Sequence, residues 1–226
     1  EFDELLGDSV KTVIPVSNLV ASELMQAYPA VAVKLVSPGW PASNDDLRKA
    51  APSKKPRHRI VTVGFVGREW KRKGLQKAYR VVCYLRRRGQ RVNMIIVGAE
   101  KIPGDIMRDP DVTYVQWTER VPFDRMSILL HPALKEPYGM VVAEARAAGL
   151  PVLCSNQVGA AGHGFNNLKA LSLDASDAEW GDTLMALCAS DARPQCLTTW
   201  PQLADEMIRN VYCPLLSSGY HRAVTR

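Results

Sequence analysis

No run of apolar residues in this 226-residue chain approaches the roughly 20 needed to cross a bilayer. Cysteine is sparse and odd in number, five residues with no C-x-x-C pair. That argues against a disulfide framework and a zinc site and suits a reducing cytosol. The opening Glu1-Phe2-Asp3-Glu4 has neither the basic nor the apolar segment of a secretory signal. What remains, 46% apolar and 23% charged, is a globular composition. The length fits one ample α/β domain or two small ones.

Charge is unevenly spread. Fourteen Lys/Arg and a single acid, Glu69, lie between Lys54 and Arg91, a local excess of 13 positive charges, so a chain of net charge +6 is net acidic elsewhere. Such a field attracts phosphates, nucleic acid or an anionic membrane face. The Arg86-Arg87-Arg88 run reads equally as a solvated helix end complementing the helix dipole.

Along the chain, strand-like runs alternate with helical patterns. Thr12–Val16 is β-branched, Ser17 can cap a helix to Tyr28, and Val31–Val36 is a second strand. Residues 40 to 58, rich in Pro, Ser and Asn, read as a linker. Ile60–Val66 is a near-continuous apolar run, as in a strand buried on both faces. Leu75, Ala78, Tyr79, Val82 and Leu85 follow at helical spacing. Further strands are expected at Arg91–Val97, Val112–Val115, Ile128–His131, Pro151–Cys154 and Ala170–Leu173. Helices are expected at Gly139–Ala148, 177–189 and 201–212. This alternation predicts an α/β fold, a Rossmann-like doubly wound parallel sheet whose ligands bind beyond the strands' carboxyl ends.

Three strand ends can hold an anion. Val66-Gly67-Arg68-Glu69-Trp70-Lys71-Arg72-Lys73-Gly74 matches neither G-x-x-x-x-G-K-[ST] nor G-x-G-x-x-G, but offers a tight exit at Gly67 and two cations, Arg68 and Lys73. His131-Pro132-Ala133-Leu134-Lys135-Glu136-Pro137-Tyr138-Gly139 leads into a helix whose first N–H groups, at Gly139, Met140 and Val141, form an anion seat. Glu144, five residues on, can accept from vicinal hydroxyls, and Glu136 from a sugar hydroxyl. Alternatively Glu136 partners the helix dipole and Glu144 is a solvated helix residue. The third, Cys154 to Gly164, is a small-residue loop or a mobile turn, with His163 as a possible proton-transfer group. Asp109-Pro110-Asp111 spells D-x-D but precedes a strand, so a turn is expected.

Together these segments resemble the carboxy-terminal, nucleotide-sugar-binding half of a GT-B fold retaining glycosyltransferase of family 4 (glycosyl transferases group 1). Val63 to Gly74 is similar to that family's V-G-R…K-G segment. Glu136 to Glu144 is similar to its E-x7-E motif, followed by Ala145-Arg146-Ala147-Ala148-Gly149-Leu150-Pro151-Val152. The resemblance implies that Arg68 and Lys73 bind the donor diphosphate, Glu136 the transferred sugar and Glu144 the ribose. Gly67 would line the same turn, and the amides of Gly139, Met140 and Val141 would support the phosphates. It implies no metal and no cofactor beyond the nucleotide-sugar substrate. The family's Gly-Gly pair followed by an acid is here Gly159-Ala160-Ala161.

By the same resemblance, residues 1–36 correspond to the end of an amino-terminal domain and its crossover, residues 37–200 to the donor-binding domain, and 201–226 to a carboxy-terminal helix and tail. On that resemblance about 150 residues of an amino-terminal domain are expected to lie outside this chain. A donor half alone is expected to bind nucleotide weakly and transfer nothing efficiently. The expected function is hexose transfer, with retention, from a nucleotide-diphosphate sugar to a glycan or lipid-linked acceptor, as in lipopolysaccharide or surface polysaccharide synthesis. The expected setting is cytoplasmic, with the basic segment able to approach an anionic membrane surface. Two alternatives are a non-catalytic nucleotide-sugar-binding module and a nucleic-acid-binding domain. The latter rests only on charge and has no binding motif, so no nucleic-acid partner is expected.

Overall fold

In a computed structural model of the chain, residues 12–29, 31–36, 38, 60–118, 120–163, 167–190 and 200–209 are described. The expected linker at 40–58 lies outside them. The protein divides into two compact units, residues 45–196 and residues 1–44 with 197–226.

The larger unit is a six-stranded parallel sheet, with strands β3 (Val61–Val66), β4 (Val92–Val97), β5 (Val112–Val115), β6 (Ile128–His131), β7 (Val152–Ser155) and β8 (Leu168–Leu171). Their order is β5-β4-β3-β6-β7-β8. The chain builds outward from β3 on one side, then returns to add β6 beside β3. The direction of winding therefore reverses between β3 and β6, where open sheets place their ligands.

Both faces of the sheet are buried. Val63, Phe65, Met94, Ile96, Ile128, Leu130 and Leu153 pack with helices α2 (Leu75–Arg87) and α5 (Asp177–Ala189) through Ala78, Val82, Leu85, Trp180 and Leu184. Residues of opposite parity, among them Leu129, Val152 and Cys154, are buried as well. Helix α4 (Met140–Ala147) packs against β6 and β7, and its buried residues lie outside that cluster. Strands buried on both sides read as unbroken apolar runs, which is why they are visible in the sequence. A four-residue helix, α3 (Gly104–Met107), precedes β5 and was not signalled. The last strand begins two residues earlier than Ala170, because Val152 to Ser155 pair with Leu168 to Leu171.

Asp109 makes the expected turn. Its carboxylate accepts from Asp111 N–H (2.9 Å), the Tyr79 hydroxyl (2.9 Å) and Arg86 (2.5 Å). Arg86 of the basic run is therefore a structural tie.

In the smaller unit, β1 (Thr12–Val13) and β2 (Ala32–Val33) form a parallel pair around α1 (Asn18–Ala27). Ser17 caps α1, its hydroxyl accepting from Val20 N–H at 3.3 Å. Helix α6 (Trp200–Met207) places Leu203 against Val36. It starts one residue before the 201–212 expected; residues 208–209 continue with a wider, π-type turn, and 210–212 lie outside the described residues. No helix among the described residues is long and apolar enough to cross a membrane.

Candidate functional site

The exit of β3 lies directly on the exit of β6. Gly67 N–H donates to Val97 O (3.0 Å), and residues 70–74 coil into turns that lead into α2. Gly74 adopts φ +79, and a Cβ there would overlap the Pro132 carbonyl, so only glycine allows this crossing. Leu134 N–H then donates to Arg72 O (2.8 Å), joining the two loops.

The third loop docks on the second. Glu136 N–H donates to Gln157 O (2.9 Å), Gly159 N–H to Glu136 O (3.0 Å) and Ala160 N–H to Tyr138 O (2.7 Å). Glu136 is thus held by its backbone on one side and presents its carboxylate to the β3 loop on the other.

Two cations meet that carboxylate. Lys73 Nζ pairs with Glu136 Oε2, and Arg72 reaches the same oxygen at 3.3 Å while donating to Lys135 O at 2.7 Å. The other edge of Arg72 is held by Glu69 at 2.8 Å. Burial pushes the Glu136 carboxyl up, but neighbouring His131 and the hydrogen bond and charge of Lys73 outweigh it and bring it down to about 2. Glu136 is a carboxylate at any physiological pH.

His131, the last residue of β6, is fully buried, and neither ring nitrogen has a hydrogen-bond partner among the described residues. Its Nε2 lies 3.9 Å from Glu136 Oε2, beyond hydrogen-bond reach. Burial lowers its pKa, against the carboxylate's opposing pull, and the charges of Lys73 and Arg72 lower it further.

Behind Glu136, Gly139 (φ +96) starts α4 with no side-chain cap. A Cβ at Gly139 would come within 2.9 Å of Val158 Cγ1. Val142 N–H turns back to Gly139 O, leaving the N–H groups of Gly139, Met140 and Val141 without an acceptor among the described residues. Glu144, one and a half turns along, is half-buried, and its carboxylate has no polar partner among the described residues. Burial raises its pKa.

Arg68 meets a different acid. It pairs with Glu100 at 2.7 Å, both side chains largely exposed. This pair borders a cleft of about 650 Å³ beyond β4 and β5, lined by Gly98, Ala99, Lys101, Tyr114 and Trp117 among others. Trp117 stands 71% exposed at its rim.

Of the residues singled out from the sequence, Lys73, Glu136 and Gly67 are brought together; Gly67 lies against the Lys73 side chain, where a Cβ would sit 3.0 Å from Cγ. Glu144 and Arg68 make no polar contact with that cluster. Arg72 and His131 were quoted within the motifs but given no role. Nothing in spacing distinguishes Arg72 from its basic neighbours, and a buried strand-end histidine has no sequence signature. The His163 side chain lies outside the described residues.

Six parallel strands in this order, with cations, an acid and an uncapped helix start at the reversal, define a Rossmann-like domain of the GT-B glycosyltransferase type. The chain belongs to the glycosyl transferases group 1 family, whose description matches residues 60–189, more than half its length. It is 27% identical over 186 residues to a D-inositol 3-phosphate glycosyltransferase of Corynebacterium kroppenstedtii, covering 73% of this chain and 40% of that protein. Among solved structures it is similar to a sucrose-phosphate synthase from Thermosynechococcus elongatus, with TM-score 0.69 and 18% identity over 96% of this chain and 61% of the other. It is also similar to WaaG, a glycosyltransferase involved in lipopolysaccharide biosynthesis, with TM-score 0.59 and 19% identity over 81% and 55%. The chain thus spans less than two thirds of each of these relatives.

Proposed function

We propose that this chain is the donor-binding part of an enzyme that transfers a hexose, with retention, from a nucleotide-diphosphate sugar to a glycan or lipid-linked acceptor in surface polysaccharide or lipopolysaccharide synthesis. The observation that supports it most is the meeting of Lys73, Arg72 and Glu136 in front of the unpaired N–H groups of Gly139 to Val141. A site for phosphate alone needs no acid among its cations. A site for a sugar diphosphate needs both, the acid to hold sugar hydroxyls and the cations to hold the leaving group.

In this reading the diphosphate lies across the α4 amino end, with Lys73 and Arg72 on its oxygens. The unpaired amides add fixed positive dipoles where charge develops as the glycosidic bond breaks. These groups meet that charge themselves, so transfer is proposed to be metal-independent. Glu144 accepts from the ribose hydroxyls, and the nucleobase lies in the cleft beside Arg68 and Trp117. Arg68 exchanges Glu100 for phosphate at little cost, since exposed ion pairs contribute about 1 kcal/mol or less. Residues 1–36 belong, in this reading, to an amino-terminal domain that supplies the acceptor side. The likenesses to an inositol-phosphate glycosyltransferase and to a glycosyltransferase involved in lipopolysaccharide biosynthesis support glycosyl transfer as the reaction.

The test is calorimetric titration of the chain with a panel of nucleoside diphosphates and nucleotide-sugars, with and without EDTA. Binding of at least one, unchanged by EDTA, is expected. Absence of binding across the panel at millimolar concentration would overturn the proposal.

A further inference from the structure

The site holds an arrangement that donor binding must undo. Glu136 Oε2 is occupied by Lys73 and Arg72, the two cations that the proposed function assigns to the diphosphate; the present inference rests on that assignment. A diphosphate carries more negative charge than one carboxylate and competes for both. Glu136, only 9% exposed, would then be left as a shielded carboxylate short of partners, which is unfavourable unless another donor takes it up.

Such a donor is already in place. His131 is sealed from solvent, both its ring nitrogens are unpartnered among the described residues, and Nε2 stands 3.9 Å from the same Oε2. A neutral imidazole has one N–H to give. A shift of about 1 Å would bring Nε2–H within hydrogen-bond distance. The ionisable groups that act on it are Glu136, Lys73 and Arg72; burial and the charges of the two cations lower its pKa, against the opposing pull of Glu136. An orphaned buried ring is costly in the free protein, and the cost has a physical reason if its acceptor becomes available on binding.

We propose that His131 is a positioning residue whose Nε2–H takes over Glu136 Oε2 when a sugar-nucleotide diphosphate draws Lys73 and Arg72 away, keeping that carboxylate charged and aimed at the sugar.

The test is nuclear magnetic resonance of the full chain, 15N-labelled at histidine, titrated with inorganic pyrophosphate and with UDP. The His131 signals, identified by their loss in His131→Gln, should show a neutral Nε2–H tautomer at pH 6. On addition of either probe that proton should move downfield and exchange more slowly. By calorimetry, His131→Leu should weaken pyrophosphate binding about tenfold. His131→Gln, whose side-chain amide restores a donor, should stay within about threefold of wild type. An Nδ1–H tautomer, or a His131 signal that ignores a probe calorimetry shows to be bound, overturns the inference and leaves the donor-site reading standing. If neither pyrophosphate nor UDP binds the wild-type chain, the inference falls, and the donor-site reading falls with it only when the whole nucleotide panel also fails to bind. Should His131→Leu fail to fold, the wild-type spectra decide.

Discussion

Lys73 and Glu136 stand 63 residues apart in the chain and meet as one ion pair, Nζ against Oε2, where the exit of β3 lies on the exit of β6. Both side chains are nearly buried, at 14% and 12% exposure, so neither is freely rescued by water. Removing one partner leaves the other as an incompletely balanced buried charge.

Replacing Lys73 by Met should therefore lower stability by about 2 kcal/mol, with Arg72 limiting the loss. The double variant K73M/E136Q should recover most of it, since no buried charge is then left over. Urea denaturation of the wild type, both single variants and the double variant checks this. Additive losses would mean that the pair is not coupled.

Acid sensitivity follows from the same carboxylate. The folded-state pKa of Glu136 is depressed from 4.5 to about 2. A depressed acid contributes stability that is present above its unfolded value and lost as pH falls towards the folded one. The window here is about pH 4.5 down to 2. Between pH 7 and pH 3, Glu136→Gln should lose about 2 kcal/mol less stability than wild type. The slope, measured by denaturation at each pH, separates this from any constant cost of the substitution.

Glu144 should behave in the opposite way. Burial raises its pKa without a compensating partner, so its charge costs stability as pH rises through the shifted value. At pH 7, Glu144→Gln should melt at the same temperature as wild type or higher. Glu144→Ala should bind a ribonucleoside diphosphate at least tenfold more weakly, about 1.4 kcal/mol. A deoxyribonucleoside diphosphate should show a smaller difference between wild type and variant. Unchanged affinity in the Ala variant would remove Glu144 from the site.

Gly74→Ala should be the most damaging single-methyl change near the site. It forces a left-handed backbone on alanine and drives Cβ into the Pro132 carbonyl, which is backbone and cannot rotate away. A loss of about 3 kcal/mol is expected in thermal unfolding, with the β3 and β6 loops losing their contact. A loss below about 1 kcal/mol would show that the crossing is slack.

The strands were legible because their burial on both faces demands apolar residues at consecutive positions, as from Val61 to Val66 and from Ile128 to Leu130. The regular parts of β1 and β2, Thr12–Val13 and Ala32–Val33, are shorter than the runs Thr12–Val16 and Val31–Val36, although backbone bonds between the two segments continue from Lys34 N–H to Val13 O and from Val36 N–H to Pro15 O. Helix α3 was missed because four residues are too few for a periodicity to show.

Local chemistry by itself determined that this chain forms a parallel α/β sheet, that cations follow its first central strand, and that two acids flank a glycine-led helix start. Those are properties of neighbouring residues, governed by backbone conformation and burial period. Only the tertiary structure decided which cation meets which acid: Lys73 and Arg72 turn to Glu136, while Arg68 turns to Glu100. It also decided that His131 is sealed beside them. The reason is that side-chain direction at the site depends on how the loop from Gly67 to Gly74 is pressed against Pro132, a contact between segments nearly 60 residues apart.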